Sequence, residues 1–100
     1  MSLFIAGTVR VPPEHIESLR PHMLAMLTAS RAEEGCLEYS YCLDVADPGL
    51  IRIFEIWRDR ACLDAHIQTP HMAAWRAAWP AHGVSDRRLV LYEVADETPL

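Results

Sequence analysis

The residues of this 100-residue chain best suited to chemistry lie in the run Leu63-Asp64-Ala65-His66-Ile67-Gln68-Thr69-Pro70-His71-Met72 and just before it. A neutral imidazole is the natural proton acceptor near pH 7. Thr69-Pro70 is a helix cap followed by a first-position proline, which puts His71 at the second position of a helix. There the positive end of the helix dipole favours the uncharged ring, so His71 is the first candidate for a base or hydrogen-bonding group; the alternative is that it caps or packs. His66 shares the segment and either orients a substrate or makes a structural hydrogen bond. Glu55 sits among apolar residues and, if buried, must keep its proton or find a partner. It is a second acid/base or, as the plainer reading, half of an ion pair with an arginine such as Arg52.

Tyr39 and Tyr41 each offer a phenol to a ligand oxygen, or pack in the core. Trp75 and Trp79, four apart, form a stripe that roofs a cavity for a flat ring or simply fills the core. His15, His22 and His82 lie in polar surroundings and receive no role. Four isolated glycines supply no G-x-G-x-x-G and no P-loop, so nucleotide cofactors have no sequence support. There is no H-E-x-x-H, and His66 and His71, five positions apart across a predicted break, do not have the standard spacing of two ligands on one helix face, so no metal is expected.

These residues need elements to hold them. Leu3 to Val11 is β-rich and stops at Pro12-Pro13, giving a first strand. Apolar positions at Ile16, Leu19, Met23, Met26 and Leu27 predict a helix over about 13–34, with Pro21 either kinking it or tolerated in the first turn of a helix capped by Ser18. Cys36–Val45 and Leu50–Trp57 read as strands joined by the turn Ala46-Asp47-Pro48-Gly49. Asp59 caps a short helix to about Gln68, and a second piece runs from Pro70 to about Ala81. A strand over Arg88–Val94 precedes a polar tail, so the domain is read as residues 1–95 with a tail of 96–100. The order β-α-β-β-α-β is the ferredoxin-like split βαβ, an α+β arrangement.

Leu37, Tyr39, Tyr41, Leu43 and Val45 share one face of the second strand. The other strands are apolar on both faces: Leu3, Ile5, Val9 against Phe4, Ala6; Ile51, Ile53, Trp57 against Leu50, Phe54, Ile56; Leu89, Leu91 against Val90, Tyr92, Val94. Two helices cover only one face, which predicts a homodimer packed sheet against sheet. The 51% apolar content is ordinary for one globular domain. Nine basic residues, all arginine and scattered, stand against 14 acidic ones, for a net charge of −5. That excludes nucleic acid and anionic membrane as main partners. No charged leader or membrane-length apolar run is present, and the chain is expected to be cytoplasmic. Cys36, Cys42 and Cys62, odd in number and without a C-x-x-C, are expected to be small buried apolar groups.

Glu34-Gly35-Cys36-Leu37-Glu38-Tyr39, Phe54-Glu55-Ile56-Trp57 and the H-x-x-T-P-H run of His66 to His71 together resemble the antibiotic biosynthesis monooxygenase (ABM) domain family, and within it the quinol-monooxygenase-like members. The resemblance runs from the first strand to the last and implies a sheet-to-sheet dimeric α+β barrel. Some members oxidise phenols or hydroquinones with molecular oxygen and no cofactor, whereas others degrade haem, isomerise small molecules, or have no known reaction. Haem-degrading and aromatic-polyketide members use an asparagine four residues before the strand-three tryptophan; this chain has Ile53 there and no asparagine anywhere. The resemblance therefore implies a cofactor-independent monooxygenase taking a small aromatic hydroquinone or phenol to a quinone, in a pocket between helices and sheet, with Trp57 either an aromatic wall of that pocket or, as the plainer reading, packed in the core. The alternatives are a binding barrel without turnover and an isomerase that shuttles a proton with the same histidine.

Overall fold

The structure, a computed structural model, describes residues 1–100. Strand β1 (Ser2–Arg10) leads through a 3-10 turn (Pro13–His15) into helix α1 (Ile16–Arg31). Strands β2 (Cys36–Leu43) and β3 (Leu50–Trp57) form a hairpin, followed by α2 (Arg60–Ile67), α3 (Pro70–His82) and β4 (Ser85–Val94). The four strands make one antiparallel sheet in the order β2-β3-β1-β4, the ferredoxin-like topology, with the helices on one face. Residues 95–100 are in neither helix nor strand.

The expected single helix over 13–34 divides into the 3-10 turn and α1. Pro21 is the sixth residue of α1, and the helix runs through it. Ser18 is not the cap, since its hydroxyl donates to the His15 carbonyl at 3.0 Å. A proline in a helix interior costs about 3 kcal/mol. Leu19, Met23 and Met26 bury their side chains on either side of it. At about 1.5–3 kcal/mol for each such side chain, that packing outweighs the loss.

Strand β2 ends at Leu43, two residues earlier than expected, because Asp44 turns the chain: its carboxylate accepts from Ala46 N–H at 3.0 Å and pairs with Arg52 at 2.9 Å. Val45 is left exposed, and a register shift between Cys36 and Glu38 leaves Leu37 exposed as well. The shared apolar face of β2 therefore reduces to Tyr39 and Tyr41, with Leu43 at its exposed end. Strand β4 starts at Ser85, three residues earlier than expected, directly after Gly83 closes α3 in the left-handed conformation (φ 68°).

The helix-facing side of the sheet carries Leu3, Val9, Ile51, Ile53, Glu55 and Trp57, all buried. The opposite side presents Phe4, Ala6, Phe54, Ile56, Val90 and Tyr92, with Phe4 and Phe54 edge to face at 5.6 Å. Arg52, Arg88, Phe54 and Tyr92 line an open hollow of about 400 Å³ on it. The cysteines depart from expectation: Cys36 and Cys62 are half-buried and Cys42 is exposed. Burial and the charge of Glu33 push the Cys36 thiol up to about 11, so it stays protonated at neutral pH.

Candidate active site

Two short capped helices deliver the histidines. The Asp59 side chain accepts from Cys62 N–H at 2.9 Å to start α2, and Thr69 Oγ1 accepts from Met72 N–H at 3.3 Å to start α3. Thr69 also donates to the His66 carbonyl at 2.8 Å, locking the corner between the two helices. On one continuous helix, five residues would set His66 and His71 about 140° apart around the axis. The corner at Thr69-Pro70 overrides that spacing and brings the rings to a centroid distance of 5.9 Å.

Both rings converge on Glu33, just past the end of α1. His66 Nδ1 lies 2.6 Å and His71 Nε2 2.8 Å from the same oxygen, Glu33 Oε2. An ionised carboxylate only accepts hydrogen bonds, so His66 donates through Nδ1–H and His71 through Nε2–H. That leaves His66 Nε2 and His71 Nδ1 as the free nitrogens. The His66 side chain is 3% exposed, against 15% for Glu33 and 22% for His71. His71 is thus the member of the triad within reach of a ligand. The sequence reading, resting on the helix dipole alone, lacked the negative charge that Glu33 sets against both rings.

His66 is packed on Trp57 (centroids 4.6 Å apart) and beside Tyr39 (5.4 Å). Trp57 is fully buried, and its indole N–H donates to Glu55 Oε1 at 2.9 Å. The expected ion pair of Glu55 with Arg52 is absent. The two residues point to opposite faces of β3, and Arg52 is bound to Asp44. Burial raises the Glu55 pKa, while the Trp57 hydrogen bond and the charges at His66 and Arg87 pull the other way. A carboxyl whose pKa rises on folding contributes stability that is fully present below its unfolded value and lost as the pH climbs through the folded one. Glu55→Gln, which keeps an oxygen for the indole, should therefore raise the melting temperature at pH 8, with the gain shrinking toward pH 4.5. Thermal unfolding across that range checks this.

Tyr39 and Tyr41 join their hydroxyls at 3.0 Å, and burial raises both phenol pKa values, so both stay protonated. Tyr41 stacks on Trp75 at 5.6 Å and 25°, and Trp75 meets Trp79 edge to face at 6.1 Å. Arg87 lies 5.5 Å over the Trp79 ring. The Trp79 indole N–H is buried without a protein partner. Sequence reasoning named neither Glu33 nor Arg87.

The expected pocket between helices and sheet is filled by these side chains: Tyr39, Glu55, Trp57, His66 and Trp75 are all buried, and of them only Tyr39 borders a hollow, an open one beside Arg31, Cys36 and Glu38. Open space lies at the edges instead. One hollow of about 330 Å³ has Glu33 on its wall together with Glu34, Arg58, Asp59 and Cys62. The helices also leave β4 uncovered on the helix-facing side, where Leu91, paired with Ile5, is 38% exposed.

Residues 2–78 match the family model described as antibiotic biosynthesis monooxygenase. The chain belongs to the antibiotic biosynthesis monooxygenase family. The uncharacterized protein sll1783 from Synechocystis is 30% identical over 98 residues, 98% of this chain and 67% of its own length. The Escherichia coli protein named probable quinol monooxygenase YgiN is 30% identical over 86 residues, 76% of this chain and 83% of its own. Rv0793 of Mycobacterium tuberculosis is 40% identical over 65 residues, 65% of this chain and 63% of its own. Its solved structure superposes with a TM-score of 0.86 at 26% identity, over 99% of this chain and 100% of that one. Membership of the ABM family supports a monooxygenase-like function for this chain, and the fold expectation of an α+β ferredoxin-like domain holds. No helix is long and apolar enough to cross a membrane.

Proposed function

We propose that this ABM protein is a cofactor-independent, oxygen-dependent monooxygenase acting on a small aromatic phenol or hydroquinone, working as a cytoplasmic homodimer. The observation that carries this reading is the single carboxylate oxygen of Glu33 shared by His66 and His71. A deprotonated phenol or hydroquinone is electron-rich enough to give an electron to oxygen directly. The protein must then bind the ring, remove a proton and limit water.

His71 is the base. Glu33 accepts its Nε2–H, which fixes the tautomer and leaves Nδ1 to take the substrate proton, as a buried carboxylate does for a catalytic histidine. His66 holds Glu33 from the buried side and is a positioning residue. The ring lies along the uncovered side of β4 against α3, where the half-buried Trp79 supplies flat apolar surface and the buried Trp75 backs it. Tyr39, Tyr41, Glu55 and Trp57 support that wall from beneath. A phenol plus O2 balances to a quinone and water, one oxygen atom entering the ring. A hydroquinone oxidised without insertion balances to a quinone and hydrogen peroxide.

The partner subunit covers the open sheet face, whose apolar side chains, Phe54 and Tyr92 among them, are unmatched by any element of the chain itself. Oxygen consumption by chelator-treated protein against a panel of phenols and hydroquinones, with the spontaneous rate subtracted, tests the reading. Saturable uptake tracking quinone formation supports it. Proton exchange or isomerisation at the substrate without oxygen uptake supports the isomerase, and saturable binding without turnover supports the binding barrel.

A further inference from the structure

We propose that Glu33, His66 and His71 also form a site for a divalent transition-metal ion of the zinc class, and that an ion bound there switches the base off. The regulatory half rests on the reading of His71 as the base; the binding half does not. One ligand atom from each residue lies within 4.8 Å of the other two, Glu33 Oε2 with the facing nitrogens of the two rings. Around a tetrahedral ion with metal–nitrogen and metal–oxygen bonds of about 2.0–2.2 Å, donors stand roughly 3.3 Å apart. The contacts of 2.6 and 2.8 Å need to open by roughly 0.5–0.7 Å to admit it.

The donors come from three separate places, the turn after α1, helix α2 and helix α3. The Thr69 corner holds the two helices in register, so the set is largely assembled beforehand. Two imidazoles and one carboxylate suit zinc or a neighbouring transition metal, whereas magnesium and calcium call for oxygen donors. Partial exposure of Glu33 and His71 leaves an open side for the ion to enter and for water to complete its shell.

Metal and base use the same atoms in incompatible ways. Coordination takes the lone pairs at His66 Nδ1 and His71 Nε2, the nitrogens that otherwise carry protons to Glu33. Each of those protons must move to the far nitrogen of its ring. His71 Nδ1 then bears a proton and accepts none, and the Glu33 oxygen is occupied by the ion.

Isothermal titration of the chelator-stripped, full-length protein with zinc chloride at pH 7.5 tests the site. The expected result is one ion per chain, with affinity at least about tenfold weaker in His71→Ala and in Glu33→Gln. His82→Ala, outside the triad, should bind as the wild type does. Absence of binding overturns the site, as does binding undiminished in the two triad variants while circular dichroism shows them folded. In a parallel oxygen-uptake assay, inhibition by zinc that chelator reverses supports the switch, and activation by zinc overturns it. One zinc ion bound by protein inactive toward every aromatic tested would uphold the site and sink only the proposed activity.

Discussion

His71→Ala lowers kcat/KM for aromatic-dependent oxygen uptake by about 10²- to 10⁴-fold, the contribution expected of one positioned general base. The loss falls on kcat, because the Trp79 surface that binds the ring, with Trp75 behind it, is untouched. The exposure of the triad ranks its members. His71, at the open side, should cost more in turnover than in stability. His66, packed on Trp57 and Tyr39, should cost in both when changed to alanine. Steady-state oxygen uptake paired with thermal unfolding of each variant separates the two. A His71→Ala enzyme with wild-type kcat would remove His71 from the chemistry.

Gly7→Ala should destabilise the fold by at least about 3 kcal/mol, beyond the usual range for one added methyl group in a packed interior. Gly7 lies mid-strand in β1, paired with Ile53 of β3 on one side and Leu89 of β4 on the other. A β-carbon there would stand 1.9 Å from the Arg88 carbonyl oxygen and 2.7 Å from the Leu89 α-carbon, both backbone atoms that no rotamer change can move aside. Relief requires β4 to draw away from β1, just where their pairing already shifts register between Thr8 and Arg10. For a domain this size the melting temperature should drop by about 12 °C or more. Near-wild-type melting of Gly7→Ala would show that the β1–β4 approach is looser than described. The site should suffer with it, since Arg87 reaches the Trp79 ring from the same end of β4.

The order of elements was legible because each carries a local signal: the alternation in β3, the Asp59 cap, the Thr69-Pro70 break. The same local logic would have dismissed Arg52 as a partner for Glu55. Three residues apart on a strand, they face opposite ways. Glu33 had no such signal. It stands one position before the Glu34-Gly35-Cys36 motif and meets partners 33 and 38 residues away, across a helix corner that spacing rules for a continuous helix describe wrongly. The early end of β2 and the exposure of Leu37 and Val45 trace to a register shift and to the side chain of Asp44, neither visible as hydrophobic pattern. The filled space beneath the helices was equally hidden, because it depends on how Tyr39, Tyr41, Trp57 and Trp75 stack on one another rather than on which faces they occupy.

One carboxylate, Glu33, accepts a hydrogen bond from one nitrogen of each histidine and so leaves His71 Nδ1 free to act. The most direct measurement is the nitrogen-15 spectrum of the two rings, recorded above about pH 8, where ordinary histidines are neutral. A proton is expected on Nδ1 of His66 and on Nε2 of His71, with both tautomers no longer fixed in Glu33→Ala, which removes the accepting oxygen. A proton on Nδ1 of His71, or free exchange between tautomers in the wild type, would contradict this assignment.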